Sequence, residues 1–202
     1  MVFRNVLEAV FGSPAKIRIL RVLLAAPQPL SGRQVGELAR LSHRGAIQAL
    51  DSLVELGAVQ QRRVGKAYQY VLVRNNEAVE RIIIPCIQAE ASLIEDLKQD
   101  IKAHFGRNTV NLTLYGSLAR GTEKRGSDID VLAVVRAGSV KTQLEEKAAS
   151  LTPLFQHRYN ALLSLHCYTL PELKDRKALS LLGSAMKEGV TISGKPLTEL
   201  LA

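Results

Sequence analysis

Two β-type runs with a polar, glycine-bearing segment between them constrain this chain more than any other feature. Val110 to Tyr115 ends at Gly116-Ser117, and Leu118-Ala119-Arg120-Gly121 follows. A polar loop, Thr122 to Ser127, leads to Asp128-Ile129-Asp130 and the apolar run Val131 to Val135. Ten residues separate Ser117 from Asp128. A strand ending in Gly-Ser before a helix start offers free N–H groups and a hydroxyl to phosphate oxygens. Glycine there lets the backbone approach closely. Asp128 and Asp130 are two apart on a strand, so their carboxylates point to one side. Two carboxylates on one side form a hard, oxygen-rich site suited to Mg²⁺ bridged by phosphates. Arg120, Lys124 and Arg125 bring positive charge to the same place.

The stretch YGSLARGTEKRGSDIDVLAVV resembles the DNA polymerase beta superfamily of nucleotidyltransferases. It is most similar to the minimal nucleotidyltransferases of prokaryotes, including the antitoxin class and the aminoglycoside nucleotidyltransferases. Their pattern of Gly-Ser, about ten residues and Asp-x-Asp falls on Gly116, Ser117, Asp128 and Asp130. Over residues 108–195 the resemblance implies a mixed sheet with flanking helices. It also implies transfer of a nucleoside monophosphate from a nucleoside triphosphate, with ATP the first choice and Mg²⁺ the cofactor. On this reading Asp128 and Asp130 are the catalytic, metal-holding residues. Gly116, Ser117, Arg120 and Lys124 meet the nucleotide. The acceptor stays open: a protein hydroxyl, a small molecule or a nucleic acid end. The family also supplies a third carboxylate from a later strand. The best later run, Ala161 to Thr169, holds neither Asp nor Glu. It carries Leu162, Ser164, His166 and Tyr168 on one face. His166 is there either a base, being titratable near neutrality, or a hydrogen-bonded histidine of a sheet face.

Charge separates the chain into two parts. The net charge is +8 overall, but residues 1–74 hold 11 Lys/Arg against 4 Asp/Glu. The remaining residues are nearly balanced, so the first third reads as the part that meets a polyanion. Within it, Ser13-Pro14 marks a helix start, and Pro27-Gln28-Pro29 ends that helix. Ser31 caps a short second helix carrying Val35, Leu38 and Ala39. Ser42 caps a third from His43 to about Leu56, with Ile47, Leu50, Leu53 and Val54 inward and Gly57 as its stop. Val59 to Val64 and Tyr68 to Val73 flank Gly65-Lys66 as a hairpin. That order is the winged helix-turn-helix pattern, whose third helix enters the major groove.

His43, Arg44 and Gln48 lie off the apolar stripe near that helix start and suit base-edge and phosphate contacts. Arg62, Arg63 and Lys66 on the hairpin suit the phosphate backbone of double-stranded DNA. Asp51 and Glu55 repel phosphate from the far end of the helix. The run LSGRQVGELARLSHRGAIQALDSLVELGAVQQRRVGKAYQYVL resembles winged-helix transcription regulators of the ArsR and MarR kind.

The expected fold class is therefore α+β. Residues 1–74 form a winged helix, 75–106 a helical connector and 107–202 a nucleotidyltransferase-like domain. Pro85 interrupts the connector. Ile87, Ala91, Ile94, Leu97, Ile101 and Phe105 then form an amphipathic stripe that packs within the chain or on the same helix of a second copy. Further helices are expected over Lys141–Tyr159, from Pro171 and over Leu179–Lys187, with a short strand at Val190–Ile192. His104 and His157 read as surface residues. Cys86 and Cys167, with no CxxC spacing, read as packed thiols in a reducing cytoplasm. Met1-Val2-Phe3-Arg4 does not open a signal peptide, and no run reaches the length of a membrane span. Two functions fit. One is a DNA-binding enzyme of nucleotidyl transfer. The other is a transcriptional regulator whose second domain binds nucleotide or a partner without turnover.

Overall fold

The computed structural model describes residues 5–174 and 179–201. The segments 1–4, read above as lacking a signal peptide, and 175–178, part of the helix expected from Pro171, lie outside the described residues. The chain is α+β and divides into two compact units, Met1–Ser92 and Leu93–Ala202. No helix of the described residues is long and apolar enough to cross a membrane.

The first unit runs α1 (Val6–Phe11), α2 (Pro14–Ala25), β1 (Leu30–Ser31), α3 (Gly32–Leu38), α4 (His43–Glu55), β2 (Val59–Val64) and β3 (Ala67–Leu72). Local chemistry accounts for most boundaries. Pro14 opens α2 at N1, although Ser13 makes no side-chain cap. Ser31 and Gln34 form a capping box on α3: Ser31 Oγ accepts from the Gln34 N–H, and Gln34 Oε1 accepts from the Ser31 N–H. Ser42 Oγ accepts from the Gly45 N–H and caps α4. Gly65, at φ 62°, makes the turn between β2 and β3. The strands pair in the order β1-β3-β2, all antiparallel.

Ile19, Leu20, Leu23, Val35, Leu50, Leu53, Tyr70 and Leu72 close one core. Each such fully buried aliphatic side chain contributes about 1.5–3 kcal/mol over exposure. Leu38, expected inside, is 61% exposed on the last turn of α3. The two-residue β1 and the six-residue α1 were not foreseen, being too short to show a period.

Pro85 does interrupt the next helix, by a local widening. A π-helical turn, Val79–Ile83, precedes α5 (Ile84–Phe105), and the Ile84 N–H reaches back to the Val79 carbonyl. Widening the turn makes room for a ring that would otherwise strike the carbonyl four residues earlier. Ile84 and Ile87 pack in the first unit, and Ile94, Leu97, Ile101 and Phe105 in the second. Ala91, assigned to the same stripe, is exposed, as is Cys86.

The second unit continues β4 (Thr109–Tyr115), α6 (Gly116–Arg120), β5 (Ile129–Val135), α7 (Gly138–Tyr159), β6 (Leu163–Thr169), a 3₁₀ turn (Glu172–Lys174), α8 (Leu179–Glu188), β7 (Val190–Gly194) and α9 (Leu197–Leu200). The sheet order is β6-β5-β4-β7. β5 pairs antiparallel with β4 and parallel with β6, and β7 is antiparallel to β4. A parallel pair needs a crossover, and α7 supplies it.

The sheet has apolar cover on both faces, which is why Val131 to Val135 is apolar without alternation. One face (Leu112, Leu114, Val131, Ala133, Cys167) packs with Phe105, Leu144, Ala148 and Phe155. The other (Tyr115, Leu132, Val134) packs with Leu173, Leu182, Ala185 and Leu197. His104 is half-buried against the rings of Phe105 and Phe155, at 6.3 and 6.1 Å, rather than free on the surface.

Candidate functional site

The site residues of the second unit gather where β4 ends beside the start of β5. Tyr115, the last residue of β4, pairs with Asp130, and Asp130 pairs on its other side with Ser164 of β6. Tyr115, Asp130 and Ser164 thus lie in one row across three strands, on the face that also carries Leu132 and His166. Asp128 sits just before β5 and is exposed, whereas Asp130 is half-buried.

The chain turns out of β4 at Gly116, whose φ is 76°. Its bare α-carbon lies against the Asp130 carboxylate, and a Cβ built there would stand 3.1 Å from Asp130 Cγ and closer still to Oδ2. Glycine is required twice over, for the left-handed backbone and for the space. Gly116→Ala should therefore lose about 1–2 kcal/mol from backbone strain alone, with the clash adding to it. Denaturant unfolding of the second unit would read this loss. An unchanged midpoint would mean that the carboxylate is not confined there.

Ser117 follows in the first turn of α6, and its hydroxyl has no hydrogen-bond partner among the described residues. Arg120, at the end of α6, is held by Glu188 of α8, with Nη1 2.7 Å from Oε2. Glu188 was not foreseen as its partner, because nothing in the sequence links positions 68 residues apart. Lys124 is exposed in the loop. Its backbone N–H donates to Ser127 Oγ at 2.9 Å.

Electrostatics mark Asp130. Burial and then the Asp128 charge push its carboxyl pKa up, and His166 and Arg120 oppose the shift. The folded state thus binds this proton more tightly than the unfolded chain does. The resulting stability is present below the ordinary value of 3.8 and is lost as pH rises through the raised value. At neutral pH the ionised carboxylate weakens the ion-free fold. Asp130→Asn should accordingly raise the thermal midpoint of the ion-free protein at pH 7, with the gain vanishing in acid. Calorimetry at both pH values would measure it, and a lower midpoint at pH 7 would reverse the assignment.

Tyr115 is buried, and its phenol is pushed well up by burial first, then by Asp130 and Tyr168. Its ring meets His166 edge-on at 6.2 Å between centroids. His166 Nε2 lies 3.2 Å from Ser164 Oγ. Cys167 points to the opposite face, and burial pushes its thiol up to about 11, away from the reactive thiolate. Among the described residues no group of three or more His, Cys, Asp or Glu side chains is arranged to hold one ion.

In the first unit, His43, Arg44 and Gln48 are exposed at the start of α4, opposite buried Ala46, Ala49 and Leu50. Arg62, Arg63 and Lys66 are exposed on β2 and its turn. Arg62 and Arg63 are consecutive on a strand and so project to opposite faces of the hairpin. Arg62 lies over Gln60, donating from Nε and Nη2 to Oε1 at 3.1 and 2.9 Å. Val64 and Tyr68 near the turn are also exposed, an apolar rim that the charge pattern did not reveal.

Residues 92–186 match the family model described as nucleotidyltransferase domain. No curated protein matches the chain. Among solved structures, a MarR-family transcriptional regulator from Silicibacter pomeroyi is similar at 21% identity and a TM-score of 0.36, over 50% of this chain and 77% of that one. A toxin–antitoxin crystal structure with AMP-PNP is similar at 15% identity and a TM-score of 0.36, over 54% of this chain and 79% of that one. Human N-acetylserotonin methyltransferase, in complex with SAM, is similar at 17% identity and a TM-score of 0.30, over 46% of this chain and 30% of that one.

Proposed function

We propose that the second unit binds a nucleoside triphosphate with Mg²⁺ at Gly116–Asp130 and transfers its nucleoside monophosphate to a hydroxyl. The observation that carries this reading is the Asp130 carboxylate lodged against the side-chain-free Gly116, with burial and then Asp128 raising its pKa. Two carboxylates that repel each other beside a cradle a Cβ would fill suit a divalent cation. Such a cation, when bound, offsets charge that develops on the transferring phosphoryl group. The free Ser117 hydroxyl and the backbone after Gly116 bind phosphate oxygens. Arg120, fixed by Glu188, adds positive charge at the Asp130 end of the site. Lys124 approaches from the loop once an anion is present. The family match over residues 92–186 supports the same chemistry.

Titration of Mg²⁺-ATP into the purified chain by calorimetry tests it, followed by assay of pyrophosphate release. The absence of binding with every nucleoside triphosphate would sink the enzyme reading. A specific observation favours the second reading, a domain that binds nucleotide without turnover. Ser164 stands beside Asp130 in the sheet, and no third carboxylate joins the pair among the described residues. Binding without pyrophosphate release would select it.

For the first unit we propose a winged helix that docks α4 in the major groove of double-stranded DNA. His43, Arg44 and Gln48 face the bases and the near phosphates. Lys66 at the turn faces the backbone together with whichever of Arg62 and Arg63 lies on the DNA side of the hairpin. The element order and the basic surplus of residues 1–74 support this. A cytoplasmic homodimer acting as a transcription regulator completes the reading.

A further inference from the structure

We propose that Ser164 is an acceptor built into the protein, so that the second unit transfers a nucleoside monophosphate onto its own Ser164 hydroxyl. This rests on the nucleotidyltransferase reading above and deepens it by naming the acceptor. The first support is position. In the parallel pair of β5 and β6, Ser164 is the residue directly beside Asp130. Neighbouring strands lie about 4.8 Å apart, so the hydroxyl is a near neighbour of the carboxylate. The second support is the partner. Ser164 Oγ lies 3.2 Å from Nε2 of His166, two residues on along the same face. A serine hydroxyl held to an imidazole nitrogen is the arrangement that raises its nucleophilicity. The third is exposure. Ser164 and His166 are half-buried, whereas Tyr115, on the other side of Asp130, is 6% exposed and less open to a ligand. Ser117 is also near, but no imidazole accompanies it.

The step balances without an oxidant or reductant. Ser164 Oγ attacks the α-phosphorus of the nucleoside triphosphate, forming the Oγ–P bond. The bond from the α-phosphorus to the oxygen bridging it to the β-phosphorus breaks, and pyrophosphate leaves. The hydroxyl proton passes to His166 Nε2, which requires the Nδ1–H tautomer beforehand. The products are a Ser164 phosphodiester and pyrophosphate.

The experiment incubates the full chain with Mg²⁺ and ATP labelled at the α-phosphorus. It follows nucleotide binding by calorimetry, intact mass, and the modified peptide by tandem mass spectrometry. The expected result is a mass gain of one AMP mapped to Ser164 and no label from γ-labelled ATP. Ser164→Ala should remove the label, and His166→Gln should slow its appearance by about 100-fold or more. Calorimetric binding by the wild-type chain with no mass gain, or with the label on another residue, would overturn the proposal and leave the nucleotide site standing. No binding at all would remove the site itself and this proposal with it.

Discussion

Asp128→Ala/Asp130→Ala should lower the affinity for Mg²⁺-ATP by about 100-fold or more. Each carboxylate that meets a bound cation is worth at least as much as a hydrogen bond to a charged group, about 1.5–3 kcal/mol. Two together amount to about 3–6 kcal/mol, or two to four orders of magnitude in Kd. The loss will be specific, because the ion-free fold gains from the change. Asp130 is half-buried next to a like charge, and removing both carboxylates relieves that repulsion. The variant should therefore bind nucleotide poorly while melting no lower than wild type. That combination separates a site from a scaffold: carboxylates that merely solvate a surface would leave binding unchanged. Calorimetric titration beside a thermal melt gives both numbers, and an affinity within a factor of a few of wild type would end the reading.

Removing the basic side chains of the hairpin should weaken DNA binding about equally on every sequence. Each phosphate contact contributes about 0.9 to the slope of log affinity against log salt. Arg62 and Arg63 project to opposite faces of the hairpin, so a duplex along one face meets one of them together with Lys66 at the turn. The triple variant Arg62→Ala/Arg63→Ala/Lys66→Ala should then lose about 2 from the slope rather than about 3. Arg44→Ala/Gln48→Ala should act differently. Both are exposed at the start of α4, and a side chain that reads base edges contributes about 1–3 kcal/mol of discrimination. That variant should narrow the gap between preferred and random duplexes. Fluorescence anisotropy with labelled duplexes over a range of salt distinguishes the two. An unchanged slope in the triple variant would remove the hairpin from any DNA interface.

Most of the local architecture was legible in the residues, for a physical reason in each case. Ser31 and Ser42 cap α3 and α4 because a short hydroxyl reaches the free N–H groups of a first turn. Val131 to Val135 is apolar throughout because both faces of β5 are covered. Errors fell where the determinant is not local. Leu38 and Ala91 fit a helical period but lie at the edges of their stripes, where what packs opposite decides burial. Pro85 was legible as an interruption, but its accommodation by a π-helical turn was not, since that depends on how Val79 and Ile83 pack.

The candidate site divides in the same way. Gly116 and Ser117 open α6 directly after β4, Asp128 stands just before β5 and Asp130 at its start, and the pairing of two strands close in the chain sets Gly116 against the Asp130 carboxylate. The sequence alone therefore determined that Gly116 and Asp130 meet at the end of β4. Only the tertiary structure decided what surrounds them. The pairing of β5 with β6 sets Ser164, not a carboxylate, beside Asp130. α8 brings Glu188 to Arg120. The packing that half-buries Asp130 perturbs its carboxyl. Strand register and helix docking join residues far apart in the chain, and they follow from the burial of whole faces rather than from any short run of residues.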